Sequence, residues 1–526
     1  MTAGQIRAAP AEAEPVVTAR RLIAFFALVF GMFMAILDIQ IVSSSLGEIQ
    51  AGLSASPDEI SWVQTSYLIA EVVMIPLSGF LARGLSTRVL FTISAAGFTF
   101  ASLLCATADS IDEMIVYRAI QGFIGGGMIP TAFAASYAIF PAKARGPVMA
   151  LVGLTVTLAP TVGPTVGGYL TDLFSWRWLF LVNIVPGLVA SVMAWTLVDF
   201  DEPDHALLRR FDWVGLATMA VFLGSLEYVL EEGQKEDWLQ SGVITAFLVM
   251  SVGAGLVFFW RVLTAHTPIV DLRAYRNRNF AVGSLLTFVL GIGLYGLTYL
   301  YPLYLARVHQ YSALQIGETV FVTGAFMFLT APVVGALSRK IDPRAVIFAG
   351  LVGFAVSSWM LTPITAEWKF DELFWPQALR GVALMMCMIP INLLALGTLP
   401  KSELKNASGL FNLTRNLGGA FGLAAINSML VGRSDFHFSR LAEHVAWGAP
   451  AAEERLAAMT AAFTPRLGPD AGVAAISQLS GLVRREAQVL SFAEIFTVMA
   501  ILFAVMIFMV VFLQRPEDEG GPPPAH

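Results

Sequence analysis

Charged side chains are scarce in this sequence. They make up 13% of the 526 residues, whereas hydrophobic residues make up 56%, and soluble globular domains contain about a quarter charged residues. This shortage excludes a large soluble core and indicates a polytopic membrane protein. The net charge of −6 is small and no basic stripe is present, so we expect no nucleic-acid partner.

Cysteine and histidine are also scarce. Cys105 and Cys387, the two cysteines, both lie inside hydrophobic runs, where core packing is expected rather than a disulfide or a metal site. None of the six histidines lies in such a run, and no pair has metal-ligand spacing. No HExxH, Ser/Lys or paired-Asp motif is present, so a polytopic membrane enzyme is the alternative with the least support.

Long hydrophobic runs are what the sequence does have. Fourteen are long enough to cross a bilayer as helices. The first is too long for a signal-peptide core and lacks a cleavage site after it, so we expect it to be retained as the first span. The predicted spans lie near residues 22–42, 60–81, 89–108, 114–140, 148–169, 178–198, 214–230, 243–260, 280–303, 314–337, 345–361, 373–396, 407–431 and 492–513.

The distribution of Lys and Arg sets the orientation. These residues are concentrated in the segments on the N-terminal side of the membrane and are sparse in the short loops on the other side. An even number of spans then places both termini in the cytoplasm. The outer segment 432–491 has helical stretches broken near Pro465 and Pro469, and it is either a solvated connector or a docking surface for a partner. The Gly/Pro-rich end from Glu517 predicts disorder.

A short motif occurs twice at equivalent positions. Pro76-x-x-Gly79-x-Leu81-x-Arg83 ends the second span, and Pro332-x-x-Gly335-x-Leu337-x-Arg339 ends the tenth. The offset of eight spans predicts two six-helix halves with two helices inserted between them, an all-α transporter architecture with the substrate path between the halves. The expected inner-loop gate comprises Gly79, Arg83, Arg88, Gly335 and Arg339. The expected division is a cytoplasmic tail at 1–20, an N-terminal bundle at 21–200, two inserted helices at 201–265, a C-terminal bundle at 266–513 and a cytoplasmic tail at 514–526.

Several ionisable residues lie within the predicted spans, where each costs roughly 3 kcal/mol or more at insertion. Asp38 is either wetted at the outer interface or a protonatable group inside a transporter. Glu71, in the middle of a span, is either a second protonatable group or a structural hydrogen-bonding group. Arg118 either snorkels to the interface or meets a carboxylate, and Gln121 shares its helix face. Glu227 is expected at the outer interface.

The fifth span carries a glycine and proline pattern. Prolines one turn apart remove backbone hydrogen-bond donors, and glycines allow a neighbouring helix to approach closely. We therefore predict a bent helix here, with the motif residues Pro160, Gly163, Pro164, Gly167 and Gly168.

Taken together, these motifs resemble those of the major facilitator superfamily, in its fourteen-span branch of drug:proton antiporters, and the similarity looks closest to the EmrB type. It covers essentially the whole chain. The matching stretches are LDIQIV at 37–42, the loop at 76–88, RAIQGFIGGG at 118–127, APTVGPTVGGY at 159–169, WRWLFLVNIVPG at 176–187, RRFDWVG at 209–215, PIVDL at 268–272, RNRNFAVG at 276–283 and ASGLFNLTRNLGGAFG at 407–422.

The resemblance implies a function. It implies a multidrug exporter of the bacterial inner membrane that works by alternating access, uses the proton gradient and no cofactor, and has Asp38 and Arg118 as coupling residues. It also implies a periplasmic adaptor and an outer-membrane channel as partners, besides lipid and hydrophobic substrates. The same fold serves proton-driven importers and carriers of single metabolites, which remain the alternative.

A substrate path follows from the polar and aromatic residues of the spans. Extra arginines suit hydrophobic anions or weak acids rather than divalent cations. One departure from the family pattern concerns the inner loop, where Arg83 occupies a position that is commonly acidic, so the usual charge pair is not expected there. The candidate path residues are Gln64, Gln121, Tyr295, Tyr299, Arg380, Asn412 and Arg415.

Overall fold

The structure is a computed structural model that describes residues 17–515 except 57–58, 266, 312, 339, 401 and 446–449. This part of the chain is helical and contains no strand. The first ten helices are α1 (Ala19–Ser44), α2 (Leu46–Leu53), α3 (Trp62–Leu85), α4 (Thr87–Thr107), α5 (Ile111–Gly125), α6 (Met128–Ile139), α7 (Ala142–Leu173), α8 (Trp178–Leu181), α9 (Ile184–Leu197) and α10 (His205–Arg209).

The remaining helices are longer on average. They are α11 (Trp213–Glu232), α12 (Gly242–Thr264), α13 (Arg278–His309), α14 (Ala313–Leu337), α15 (Pro343–Trp359), α16 (Phe370–Gly397), α17 (Leu404–Glu443), α18 (Pro450–Leu467) and α19 (Ala471–Met506). Short 3-10 turns occupy Trp238–Gln240, Leu272–Arg276, Gly468–Asp470 and Ile507–Phe512.

Every predicted span coincides with helix, but not every one is a straightforward membrane crossing. Among the described residues, eleven helices are long and apolar enough to span a bilayer, or twelve when the bent α7 is counted as one. Two further predicted spans fall on α15, which is short, and on α17, which carries polar residues along its length. The fold is therefore all-helical and membrane-spanning, with the count of fourteen still a prediction.

The helices pack as two groups with a seam between them. In the first group α1 packs on α7, α3 on α5 and α4 on α9, and in the second α13 packs on α17 and α15 on α16. Contacts of α7 with α14 and of α3 with α17 join the groups, while α11 and α12 pack against each other. The seam therefore lies between the group formed by α1–α9 and the group that begins at α13.

Local sequence explains where several helices begin. The Asp342 carboxylate accepts a hydrogen bond from the Arg344 backbone N–H at 3.0 Å and caps α15, with Pro343 following as the first helical residue. Hydrogen bonds from the Arg344 side chain lower the pKa of Asp342, so the cap is charged at neutral pH. In the segment after α17, a helix break falls at Gly468, whose φ of +53° suits glycine.

Candidate substrate and coupling site

Asp38 lies in a fully buried polar network in the N-terminal group. Arg118 Nη1 donates to Asp38 Oδ2 at 2.7 Å, and Asn183 Nδ2 donates to Asp38 Oδ1 at 2.6 Å. Gln121 Nε2 donates to the same Oδ1 at 3.3 Å and to Ser102 Oγ at 2.8 Å. The charge on Asp38 is thus met by one guanidinium and two amides from other helices, which is how a buried carboxylate is tolerated.

Arg118 has contacts besides Asp38, although its Nη2 has no hydrogen-bond partner among the described residues. Its Nε donates to the Val63 carbonyl at 3.1 Å, and its guanidinium lies 4.3 Å from the centre of the Tyr67 ring. The helices approach closely here, because a Cβ on Gly122 would clash with the Tyr67 carbonyl. Both Arg118 and Asp38 are 0% exposed, so the pair is sealed inside its own helix group and Arg118 does not reach the interface.

A cavity of about 410 Å³ lies between the two helix groups. Its wall comes from α1, α3, α6, α7, α11, α13, α14 and α17, mostly from their predicted outer halves. Much of the wall is apolar, including Ile36, Leu68 and Ile129. A cavity of this size with a few polar groups on an apolar wall is typical of small-molecule sites.

Glu71 faces this cavity from the middle of α3. The residue is 3% exposed, and its Oε1 has no hydrogen-bond partner in the described part of the chain. An ionised carboxylate that is buried without a partner costs far more than the neutral acid. The Glu71 carboxyl thus offers an open oxygen to the cavity, whereas both oxygens of Asp38 accept hydrogen bonds.

Arg415 supplies a positive charge in the wall from α17. Its Nη2 donates to Asn412 Oδ1 at 2.6 Å, while Nε and Nη1 have no partner among the described residues besides the Tyr295 hydroxyl of the same wall. Arg415 also interacts electrostatically with Glu71. A guanidinium with few partners and an open carboxyl oxygen thus lie in the wall of one cavity.

The predicted path residues divide into two sets. Gln64, Tyr295, Tyr299 and Arg415 line the cavity. The other three lie behind its wall: Gln121 belongs to the Asp38 network, Arg380 Nη2 donates to the wall residue Thr298 at 2.7 Å, and Asn412 holds Arg415.

Sequence reasoning missed an acidic pair on α11. The predicted interfacial position of Glu227 is wrong, because this residue is 5% exposed and lies in the cavity wall together with Glu231. The spacing of four residues, which puts both side chains on one helix face, was the available signal. The sequence places this helix between two six-helix halves and does not show that it reaches the cavity.

The end of the seam that is predicted to face the cytoplasm is closed by an ion pair between the start of α17 and the segment that follows α9. Lys405 Nζ, at the start of α17, lies 2.5 Å from Asp201 Oδ2 and donates to the Ala82 carbonyl at 2.9 Å. The same Asp201 oxygen accepts from the backbone N–H and the hydroxyl of Thr87, each at 2.7 Å. Deeper in the seam, Ser408 Oγ donates to the Pro130 carbonyl at 2.9 Å.

The comparisons with known proteins agree with this architecture. A model of the Major Facilitator Superfamily matches residues 28–423. The chain belongs to the major facilitator superfamily. It is therefore a membrane transporter and not an enzyme.

Relatives named EmrB match almost the whole chain, as the motifs predict. The chain is 43% identical over 492 residues to the colistin resistance protein EmrB of Acinetobacter baumannii, covering 93% of this chain and 96% of that protein. It is 31% identical to the fatty acid resistance protein FarB of Neisseria gonorrhoeae, covering 93% and 95%. It is 30% identical to the multidrug export protein EmrB of Escherichia coli K12, covering 97% and 98%.

A solved structure shows the same fold at low identity. The human organic anion transporter MFSD10 matches with a TM-score of 0.58 and 14% identity, covering 93% of this chain and 99% of that one. This likeness concerns the superfamily fold alone.

The residues of the predicted inner-loop gate do not share one environment. A Cβ on Gly79 would lie 2.8 Å from the Lys405 carbonyl oxygen, so glycine permits the tight seam between α3 and α17. Gly335 packs similarly against Gly146 and Ala150 of α7. The Arg83 carbonyl accepts from the Asp204 N–H at 3.0 Å. Arg88 is exposed and lies over the Trp195 ring, and Arg339 lies outside the described residues.

The motif of the fifth predicted span falls entirely within α7. This helix bends by 45° between Ala144–Ala159 and Val162–Leu173, at the position of Pro160. A Cβ on Gly163 would clash with Gln40 of α1, and Pro164 lines the cavity. Farther along, the carbonyls of Gly167 and Gly168 accept hydrogen bonds from Thr171 Oγ1, at 3.0 Å each.

Proposed function

We propose that this protein is a proton-coupled multidrug exporter of the bacterial inner membrane that works by alternating access. The observation that carries the proposal is the cavity between the helix groups, which is faced by the Arg415 guanidinium and by the Glu71 carboxyl, one of whose oxygens no described residue engages. The cytoplasmic seam below it is held by Lys405 and Asp201. The proton gradient supplies the energy, and no cofactor is involved.

The names of the relatives support multidrug export. They are associated with resistance to colistin, with resistance to fatty acids and with multidrug export. Colistin resistance and fatty acid resistance concern chemically different compounds, so a cavity that tolerates varied shapes fits this chain better than a pocket for one metabolite. A carrier of a single metabolite, or a proton-driven importer, remains the competing function on the same fold.

In this proposal, the carboxyls of Glu71 and Asp38 have different roles in proton coupling. Glu71 faces the cavity, so it exchanges its proton when substrate arrives. Asp38 and Arg118 hold the N-terminal helix group in one arrangement through their ion pair, and this pair connects α1, α5 and, through Val63, α3. A cation near Glu71 favours the ionised carboxylate, so the entry of a positively charged substrate and the departure of a proton are linked.

The proposal also includes the membrane topology of the chain and its partner proteins. All fourteen predicted runs cross the membrane and both termini are cytoplasmic, which places α18 and the flanking parts of α17 and α19 in the periplasm. That helical segment offers the contact for a periplasmic adaptor leading to an outer-membrane channel. Co-purification of the adaptor with the full chain, and its loss when residues 450–467 are replaced by a flexible linker, tests this contact; unchanged binding would remove it.

Transport in inverted membrane vesicles tests export directly. We expect the wild-type chain to concentrate a fluorescent hydrophobic dye inside vesicles when the interior is made acidic, because proton exit then drives uptake. Collapse of the gradient with a protonophore should abolish the signal. An importer would instead release preloaded dye under the same gradient, and a protein that ignores the gradient would contradict proton coupling.

Loss of the cytoplasmic ion pair should open the inner seam. We expect Lys405→Ala to shift the ratio of closed to open inner seam by roughly 5- to 30-fold, because the partly buried pair contributes about 1–2 kcal/mol. A cysteine placed at Ser408, which is 1% exposed in the seam, should then react faster with a maleimide. Arg344→Ala removes an ion pair within one half and should leave the labelling rate unchanged.

A further inference from the structure

The inserted helix α11 lies across the seam and contacts both halves of the transporter. On the N-terminal side, Thr65 Oγ1 donates to Glu232 at 2.9 Å and the rings of Trp62 and Tyr228 stack at 5.4 Å. The 3-10 turn Trp238–Gln240, which follows α11, reaches the C-terminal half. There, Trp238 Nε1 donates to Ser428 Oγ at 2.9 Å. A helix fixed to both halves beside the cavity forms part of the cavity's wall.

Leu230 strengthens this contact with the C-terminal half. It packs against Ala420 and Ala424 of α17, and Ala420 is itself a cavity residue. The wall formed by α11 is therefore continuous with the wall formed by α17, where Arg415 lies.

Glu227 and Glu231 occupy the cavity face of α11. They are one helical turn apart, and neither carboxyl takes part in a hydrogen bond or salt bridge in the part of the chain that the structure describes. Lys235, which is paired with Glu232, also interacts electrostatically with Glu231. The neighbouring Glu232 is different, because Thr65 and Lys235 hold it. The helix thus satisfies one of its terminal acids and leaves two directed at the cavity.

The unpartnered carboxyl of Glu71 is an independent indication of a ligand. It is 3% exposed, it comes from a different helix, and it lies close enough to Glu227 for electrostatic interaction. Three carboxyl groups therefore share the cavity wall with one guanidinium, that of Arg415. Since Arg380 lies behind the wall, Arg415 alone of the two arginines on which the predicted preference for anions relied lines the cavity.

We propose that Glu227 and Glu231 bind the cationic group of an amphiphilic substrate, so that the inserted helix determines the charge selectivity of the transporter. The apolar wall takes the hydrophobic body of such a compound, and the two carboxylates compensate a charge that would otherwise be buried unpaired. The inference rests on the proposed export function, because it assigns recognition residues within the same cavity.

Binding of two probes of matched shape and opposite charge tests the inference. Tetraphenylphosphonium is a hydrophobic cation, and tetraphenylborate is a hydrophobic anion of nearly the same shape. Equilibrium binding to the purified full-length protein should weaken at least 10-fold for the cation in Glu227→Gln/Glu231→Gln, because both compensating charges are gone. Tetraphenylborate should bind as well as before or more tightly. Glu236→Gln, an exposed acid in the next turn, should change neither affinity.

Other outcomes would overturn the inference. Equal weakening of both probes would show that the pair shapes the cavity or carries protons without selecting charge, and unchanged cation binding would show that it does not recognise the substrate. If the double variant does not fold, Glu227→Gln and Glu231→Gln are tested singly. Each should weaken binding of the cation by less than the double variant would and should not weaken binding of the anion. Failure of the proposed export function is distinguishable, since it shows as gradient-independent dye distribution in wild-type vesicles.

Discussion

Glu71→Gln should abolish the proton release that substrate binding causes, while the fold remains intact. The reason is geometric: Glu71 is a carboxyl of the cavity wall with an oxygen that no described residue engages. Glutamine has the same shape and no titratable proton, so the cavity keeps its volume and loses the exchange. The measurement is the pH change of a weakly buffered solution of purified protein when a saturating cationic substrate is added.

Asp38→Asn is the matched comparison for this prediction. Asp38 also loses its charge in this variant, but the residue lies behind the wall and is paired with Arg118. Proton release per folded molecule should therefore persist, although the yield of folded protein falls. If proton release is lost in Asp38→Asn and retained in Glu71→Gln, the two assignments are reversed. If proton release is retained in both variants, neither carboxyl couples substrate binding to protons.

The sequence predicted the fold because its signals there are one-dimensional. Runs of apolar residues fix the helices, and the repeated motifs ending in Arg83 and Arg339 indicate two related halves. The number of membrane spans is harder to predict, because it depends on how the helices pack in three dimensions. Polar residues in or behind a cavity wall, such as Arg415 and Asn412 in α17, make a helix look less apolar than a lipid-facing one of the same length.

The candidate site is predictable from the sequence only in part, because helix packing decides how each charge is compensated. Asp38, Glu71 and Arg118 are conspicuous because a charge within an apolar run needs compensation. Whether that compensation comes from a partner or from a cavity depends on how other helices pack, and the sequence does not show that Asn183 and Gln121 complete the Asp38 network. The same holds for Lys405 and Asp201, which are ordinary loop charges until α3 and α17 meet.

Arg118→Ala should produce the largest loss of stability of any single change discussed here. It leaves the Asp38 carboxylate fully buried with only the two amide donors, and removing one partner of a buried ion pair typically costs about 3–5 kcal/mol. The stacking of the guanidinium on Tyr67 is lost as well. Thermal unfolding in detergent, followed by reaction of a thiol-sensitive dye with the buried Cys105 and Cys387, should show a midpoint lower by on the order of 5 °C or more.

Two comparisons separate the buried pair from the arginine side chain itself. Arg177→Ala removes an arginine that pairs with Asp109 at the surface, and exposed pairs contribute about 0–1 kcal/mol, so its midpoint should hardly move. The double variant Asp38→Asn/Arg118→Ala should be more stable than Arg118→Ala alone, because the uncompensated charge is gone and the coupling between the two sites is directly measured. If Arg118→Ala matches the wild type, the network does not hold the N-terminal helices together, and the role assigned to Asp38 falls with it.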